Sequence, residues 1–92
     1  MLSPDECWMN RYFFDVYNSE GQVLDEEGQL FASKESAKNE ALRILQDVAR
    51  DELPDRDLFQ LTVKVRGENG AKVFEASLIL TSGWIATEPS AG

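Results

Sequence analysis

The tightest constraint on this chain is the dipeptide Asn69-Gly70, set between two runs of strict apolar–polar alternation. Phe59, Leu61, Val63 and Val65 alternate with Gln60, Thr62, Lys64 and Arg66 before it; Phe74, Ala76, Leu78 and Leu80 alternate with Glu75, Ser77, Ile79 and Thr81 after it. A period of two puts each apolar set on one face of a strand. Asn-Gly favours a two-residue type I′ hairpin, because both residues accept positive φ. That turn predicts a register. Val65 meets Phe74, Val63 meets Ala76, Leu61 meets Leu78 and Phe59 meets Leu80, while Lys64 meets Glu75 and Thr62 meets Ser77 on the other face.

The N-terminal half reads as a second hairpin followed by a helix. Arg11 to Tyr17 is rich in aromatic and β-branched residues and runs into the turn cluster Asn18-Ser19-Glu20-Gly21. Tyr12, Phe14 and Val16 then share one face, and Arg11, Phe13, Asp15 and Tyr17 the other. Gln22-Val23-Leu24 is a short return strand, Asp25-Glu26-Glu27-Gly28 an acidic turn, and Leu30 and Phe31 plug the edge of the core. Ser33 is the N-cap of a helix that Pro54 brings to an end near Glu52 or Leu53. Glu35 in its first turn complements the helix dipole. Ala37, Ala41, Leu42, Ile44, Leu45, Val48 and Ala49 form its apolar stripe, with i,i+3 pairs Glu40–Arg43 and Asp47–Arg50 on the outer side. The fold expected is an α+β two-layer sandwich in ββαββ order, an antiparallel sheet with one helix on one face. Tyr12, Phe14, Ala41, Leu45, Val48, Leu61, Val63, Phe74 and Leu78 are its expected core, each large one worth about 2–5 kcal/mol. Residues 9–82 are expected to make the single domain, with 1–8 a flexible extension and 86–92 a flexible tail.

Composition narrows the function. The lone Cys7 has no internal disulfide partner, and the first ten residues lack the basic and apolar regions of a signal peptide, so a cytoplasmic location is expected. Seventeen acidic against nine basic side chains give a net charge of -8, which disfavours nucleic acid and anionic membranes as partners. No apolar run is long enough to span a bilayer.

Several segments resemble a known family. Met9-Asn10-Arg11-Tyr12-Phe13-Phe14-Asp15, Asp25-Glu26-Glu27-Gly28, Glu40-Ala41-Leu42 in an Ala-rich helix, Val63-Lys64-Val65-Arg66 and Asn69-Gly70 are similar to short bacterial proteins known mainly from alphaproteobacteria and grouped as a domain of unknown function. The similarity spans residues 9–82, with Arg-Tyr-Phe-Phe-Asp its most distinctive part. It implies a bacterial origin and offers no activity to carry over; members of the family commonly begin just before this strand, which makes Met9 as well as Met1 a candidate start.

Candidate chemistry is sparse. Asp25, Glu26 and Glu27, with Asp15 nearby, have oxygen ligands for a hard cation but not the spacing of a calcium loop, so a solvated acidic turn is the simpler reading. As a glycosidase pair they lack a cleft. Cys7 stands beside Asp5 and Glu6, which disfavour its thiolate, and the chain has no histidine to serve as its base or that of a serine. Gly67-Glu68-Asn69-Gly70 belongs to the hairpin and not to a phosphate loop. No enzyme activity, cofactor or metal is expected.

The outer sheet face is the more informative feature. Phe13 and Tyr17 are expected side by side there, with Val73 and Ile79 from the last strand, amid Arg11, Asp15, Gln60, Thr62, Lys64, Arg66, Glu75 and Ser77. Such a face suits protein–protein interaction, with Phe13, Tyr17, Val73 and Ile79 as contact residues. Either this face or a sheet edge would pair with a second copy in a C2 homodimer, or the face would bind another protein. The ββαββ order resembles HicB-like antitoxin domains in element order alone. As a further alternative, Phe13 and Tyr17 would stack single-stranded nucleic acid, with Arg11, Lys64 and Arg66 as its contacts.

Overall fold

The structure, a computed structural model, describes residues 9–55 and 57–86. Strands β1 (Asn10–Asn18), β2 (Gly21–Val23) and β3 (Gln29–Phe31) precede helix α1 (Lys34–Glu52), a 3-10 turn (Leu53–Asp55), β4 (Leu58–Arg66) and β5 (Lys72–Thr81). The antiparallel sheet with one helix is the α+β sandwich expected. Residues 1–8, with Cys7, and residues 87–92 lie outside the described residues.

The sheet runs β2-β1-β4-β5, so the two longest-range partners, β1 and β4, lie at its centre. Asn18 Oδ1 closes the first turn by accepting from the amides of Glu20 (2.8 Å) and Gly21 (2.9 Å), and Val16 then pairs with Val23. The returning chain leaves β1 at the acidic loop and rejoins it as β3, which pairs Asn10 with Phe31 and Tyr12 with Gln29. This third strand is an addition to the sequence reading. Alternation within it sends Phe31 inward, edge-on to Phe14 with ring centroids 5.7 Å apart, and leaves Leu30 exposed on the other face. Only Phe31 therefore plugs the core.

Helix α1 begins where Ser33 predicts: its Oγ accepts from the Ser36 amide at 3.1 Å. Its four buried positions, Ala37, Ala41, Leu45 and Ala49, recur every four residues along one ridge. Three of them are alanine, which lets the helix approach β4 closely. There Phe59, Leu61, Val63 and Val65 are almost wholly buried. On the solvent side Arg43 joins both Glu40 and, at 2.7 Å, Asp47, so the two expected i,i+3 pairs merge into one surface network. Such exposed pairs add little to stability.

The C-terminal hairpin has the predicted register throughout, from Phe59 opposite Leu80 to Val65 opposite Phe74. Its turn differs from the prediction. Asn69 keeps negative φ and only Gly70 is left-handed, at +85°. The Gly70 amide donates to Gly67 O (3.0 Å) and the Gly67 amide to Ala71 O (2.8 Å), closing a three-residue loop over Glu68, Asn69 and Gly70. Arg66 pairs with Lys72 but Val65 with Phe74, so Val73 is a one-residue bulge. The longer loop and the bulge cancel, and the apolar ladder lands where a two-residue turn would put it.

Leu78 departs from the expected core. It points to the helix side, yet β5 is the outermost strand and α1 lies over β4, which leaves Leu78 36% exposed. Val48 and Phe74 pack against the core from half-buried positions. Urea unfolding in dilute solution should separate the two leucines of one cross-strand pair. Leu61→Ala should cost about 2–5 kcal/mol and Leu78→Ala about 1 kcal/mol or less.

Candidate functional site

Pairing of β1 with β4 sets Phe13 opposite Arg66, Asp15 opposite Lys64 and Tyr17 opposite Thr62 on the face away from α1. Phe13 and Tyr17 are four residues apart, about 13 Å along the strand, with Asp15 between them. They do not lie side by side. Each is instead covered by a cation from β4. The Arg66 guanidinium lies 4.7 Å from the Phe13 ring centre and the Lys64 ammonium 4.7 Å from that of Tyr17.

Asp15 is the buried charged residue among the described residues, 4% exposed although it sits on the outer face. Arg66 grips it with two hydrogen bonds, Nε to Oδ2 at 2.7 Å and Nη2 to Oδ1 at 3.2 Å. The acidic loop closes over the pair. The Asp25 amide donates to Asp15 Oδ1 (2.9 Å), and Arg66 Nη2 donates to Asp25 O (2.7 Å). The Asp25 carboxylate accepts from the amides of Phe14 (3.1 Å), Glu27 (3.1 Å) and Gly28 (3.0 Å). It thereby supplies the acceptor that a neighbouring strand would have offered Phe14 between β2 and β3. Arg11 Nη1 donates to Glu27 O at 2.9 Å and ties the loop down at its far side.

Gly28 makes this closure possible. Its φ is +71°, and a Cβ there would stand 2.8 Å from Arg11 Cγ, 2.9 Å from Phe13 Cε2 and 2.9 Å from Tyr12 O. Both the backbone conformation and the space exclude a side chain.

The electrostatics follow from this geometry. Burial opposes the charge of Asp15, but the Arg66 hydrogen bond, the Asp25 amide and the Arg66 charge outweigh it and hold the carboxyl below its ordinary value. Burial opposes the Asp25 charge too, and there the amides of Gly28, Phe14 and Glu27, with Arg66, prevail in the same direction. Arg66 is raised by its bond to Asp15. Of the oxygens weighed as cation ligands, those of Asp15 and Asp25 are thus occupied by amides and a guanidinium, while Glu26 and Glu27 are exposed. Among the described residues no group of three acidic, histidine or cysteine side chains is placed to share a metal ion.

The remaining contact candidates lie on β5. Val73, at the bulge, is about 20 Å along the chain from Ile79 and borders a shallow hollow of about 300 Å³ with Asn10, Arg11, Tyr12 and Lys34 at the end of the sheet. Ile79 stands 64% exposed opposite Gln60. Leu58, which sequence reasoning passed over, is 68% exposed and opposite Thr81, hence the diagonal neighbour of Ile79 on the same face. Its place at the start of the alternating run was the signal available. Trp84 and Ile85, just past β5, are also exposed. None of the described helices is long and apolar enough to cross a membrane.

Fold and site define a small two-layer α+β domain whose outer face is closed around an ion pair by an acidic loop. The chain belongs to the family described as a domain of unknown function (DUF6894), whose model matches residues 11–79. No curated protein and no solved structure matches it.

Because Asp15 and Asp25 bind protons more weakly folded than unfolded, stability is fully present above the unfolded carboxylate value of about 3.9 and is lost as pH falls through their lower folded values. Asp15→Asn should cost about 2–4 kcal/mol at neutral pH by leaving Arg66 without its partner. It should also flatten the acid limb of a stability-against-pH curve measured by urea unfolding. Gly28→Ala should destabilise by about 1–3 kcal/mol through backbone strain and the clash with Phe13, read as a drop in Tm.

Proposed function

We propose that the chain is a protein-interaction module without catalytic activity, and that it self-associates through the open edge of β5. One observation carries this reading: the two edges of the sheet are treated differently. On the β2 side the edge is cut into two three-residue strands by the acidic loop, the kind of interruption that blunts edge-to-edge pairing. On the other side β5 runs for ten residues, and among the described residues no strand pairs beyond it. Its bulge sits at the hairpin end and leaves Phe74 to Thr81 regular. Exposed Ile79 and Leu78 flank that edge on opposite faces, with Leu58 beside Ile79.

The same geometry weighs against the central outer face as the contact surface. Phe13 and Tyr17 are half-buried beneath Arg66 and Lys64, and Arg11 is engaged by the acidic loop. Nucleobase stacking would need those rings uncovered and those cations directed at phosphates, so this reading loses support. The HicB-like analogy rests on element order, and β3 departs from that order.

Light scattering across a wide concentration range tests the proposal. The wild-type chain should dimerise, Ile79→Lys should weaken the dimer at least about tenfold while the monomer stays folded, and Tyr17→Ser should leave association intact. A wild-type chain that stays monomeric at every concentration, or a dimer lost with Tyr17→Ser and kept with Ile79→Lys, overturns it.

A further inference from the structure

The geometry points to one register for that dimer: two β5 strands pair antiparallel with Ile79 on the dyad, opposite the partner's Ile79. This rests on the edge-pairing reading and deepens it. A twofold axis perpendicular to the sheet keeps the two helices on one side, so only residues of the same face can meet across it. The possible registers are therefore few, each named by the residue that meets its own copy.

With Ile79 on the dyad, Leu78 meets Leu80 twice on the helix side and Ser77 meets Thr81 twice on the outer side. Every pair joins like with like, and neither charged residue of β5, Lys72 or Glu75, falls in this five-residue ladder. The two Glu75 carboxylates lie at opposite ends, each across from Gly83, which suits a chain of net charge -8. The neighbouring choices are poorer: Leu80 on the dyad sets Ile79 against Thr81 and Leu78 against Ser82. Ser77 on the dyad sets Glu75 against Ile79. Leu78 on the dyad sets the exposed Ile79 against Ser77 and Glu75 against Thr81. Ala76 on the dyad needs Val73 against Ile79, where the bulge breaks the row.

Burial favours the same choice. Leu58 is diagonal to Ile79 within one chain, so the Ile79 dyad builds an unbroken apolar strip of Leu58 and Ile79 from one copy and their counterparts from the other. It sets Ile79, 64% accessible in the single chain, against its own copy on the outer face. On the helix side it covers Leu78 with Leu80.

Single cysteines in a Cys7→Ser chain read the register directly, because Cα atoms of directly opposed strand residues, about 4.5–5.5 Å apart, fall within disulfide range. Under oxidised glutathione, Ile79→Cys should form a covalent dimer in several-fold higher yield than Ser77→Cys, Leu78→Cys or Ala76→Cys. Since that variant alters the contact itself, a second measurement keeps Ile79. A mixture of Ser77→Cys and Thr81→Cys chains of different mass should give mainly the mixed disulfide. A maximum at Leu78→Cys or Ser77→Cys, with no excess of the mixed species, overturns the register and leaves edge pairing standing. No cross-link at any position, with wild type monomeric by light scattering, overturns both.

Discussion

The pairing of Asp15 with Arg66 is the interaction on which the rest of the molecule turns. A carboxylate with 4% exposure is tolerable only if its charge is met and its lone pairs are filled. Arg66, fifty-one residues away in sequence, meets that need with a two-point grip. The bond works only in one arrangement of the sheet, with β1 beside β4 and Phe13 across from Arg66. It therefore selects strand order as well as stabilising it. The same guanidinium reaches Asp25 O, so closing the ion pair also seats the acidic loop. A run of acidic residues that looks like solvated surface is in this way part of the interior wiring of the sheet.

Seating that loop decides how the two edges differ. The chain between β2 and β3 must leave the ladder so that Asp25 can turn its carboxylate inward to the Phe14 amide, and the price is an edge broken into short pieces. No such demand falls on β5. Its inner edge is paired with β4 without a break from Phe74 to Thr81, its outer edge is regular over the same residues, and the helix, drawn onto β4 by a ridge of alanines, leaves it partly uncovered. The position of α1 over β4 and the exposure of Leu78 on the helix side of β5 are thus two results of one packing choice.

What could be read from the sequence follows the range of the interactions involved. The C-terminal ladder, the N-cap at Ser33 and the helix end before Pro54 all depend on neighbours within one hairpin or one helix end, and each stands as expected. The alternation was a stronger guide than the turn: Asn69 does not adopt positive φ, yet every apolar pair from Phe59–Leu80 to Val65–Phe74 is in place. The Asp15–Arg66 clasp was not legible, because it requires knowing that β1 lies beside β4. Without that pairing, Asp15, Lys64 and Arg66 are only polar members of an outer face, and Phe13 and Tyr17 look available when each is roofed by a cation. Leu78 fails for the same reason: alternation assigns it a face, whereas its burial depends on how far the helix extends across the sheet. Gly28 was the overlooked clue, a glycine closing an acidic run and needed because the loop folds inward onto Phe13.

The bulge at Val73 has a mechanical consequence. Between Val65 and Phe74 the chain can close either as a two-residue turn with a straight ladder or as a three-residue loop with one residue let out, and both use the same length of backbone. The hairpin tip thus behaves like an expansion joint. The sheet is in this respect insulated from its own tip, and the order of side chains along the exposed edge of β5 does not depend on how that tip is tied.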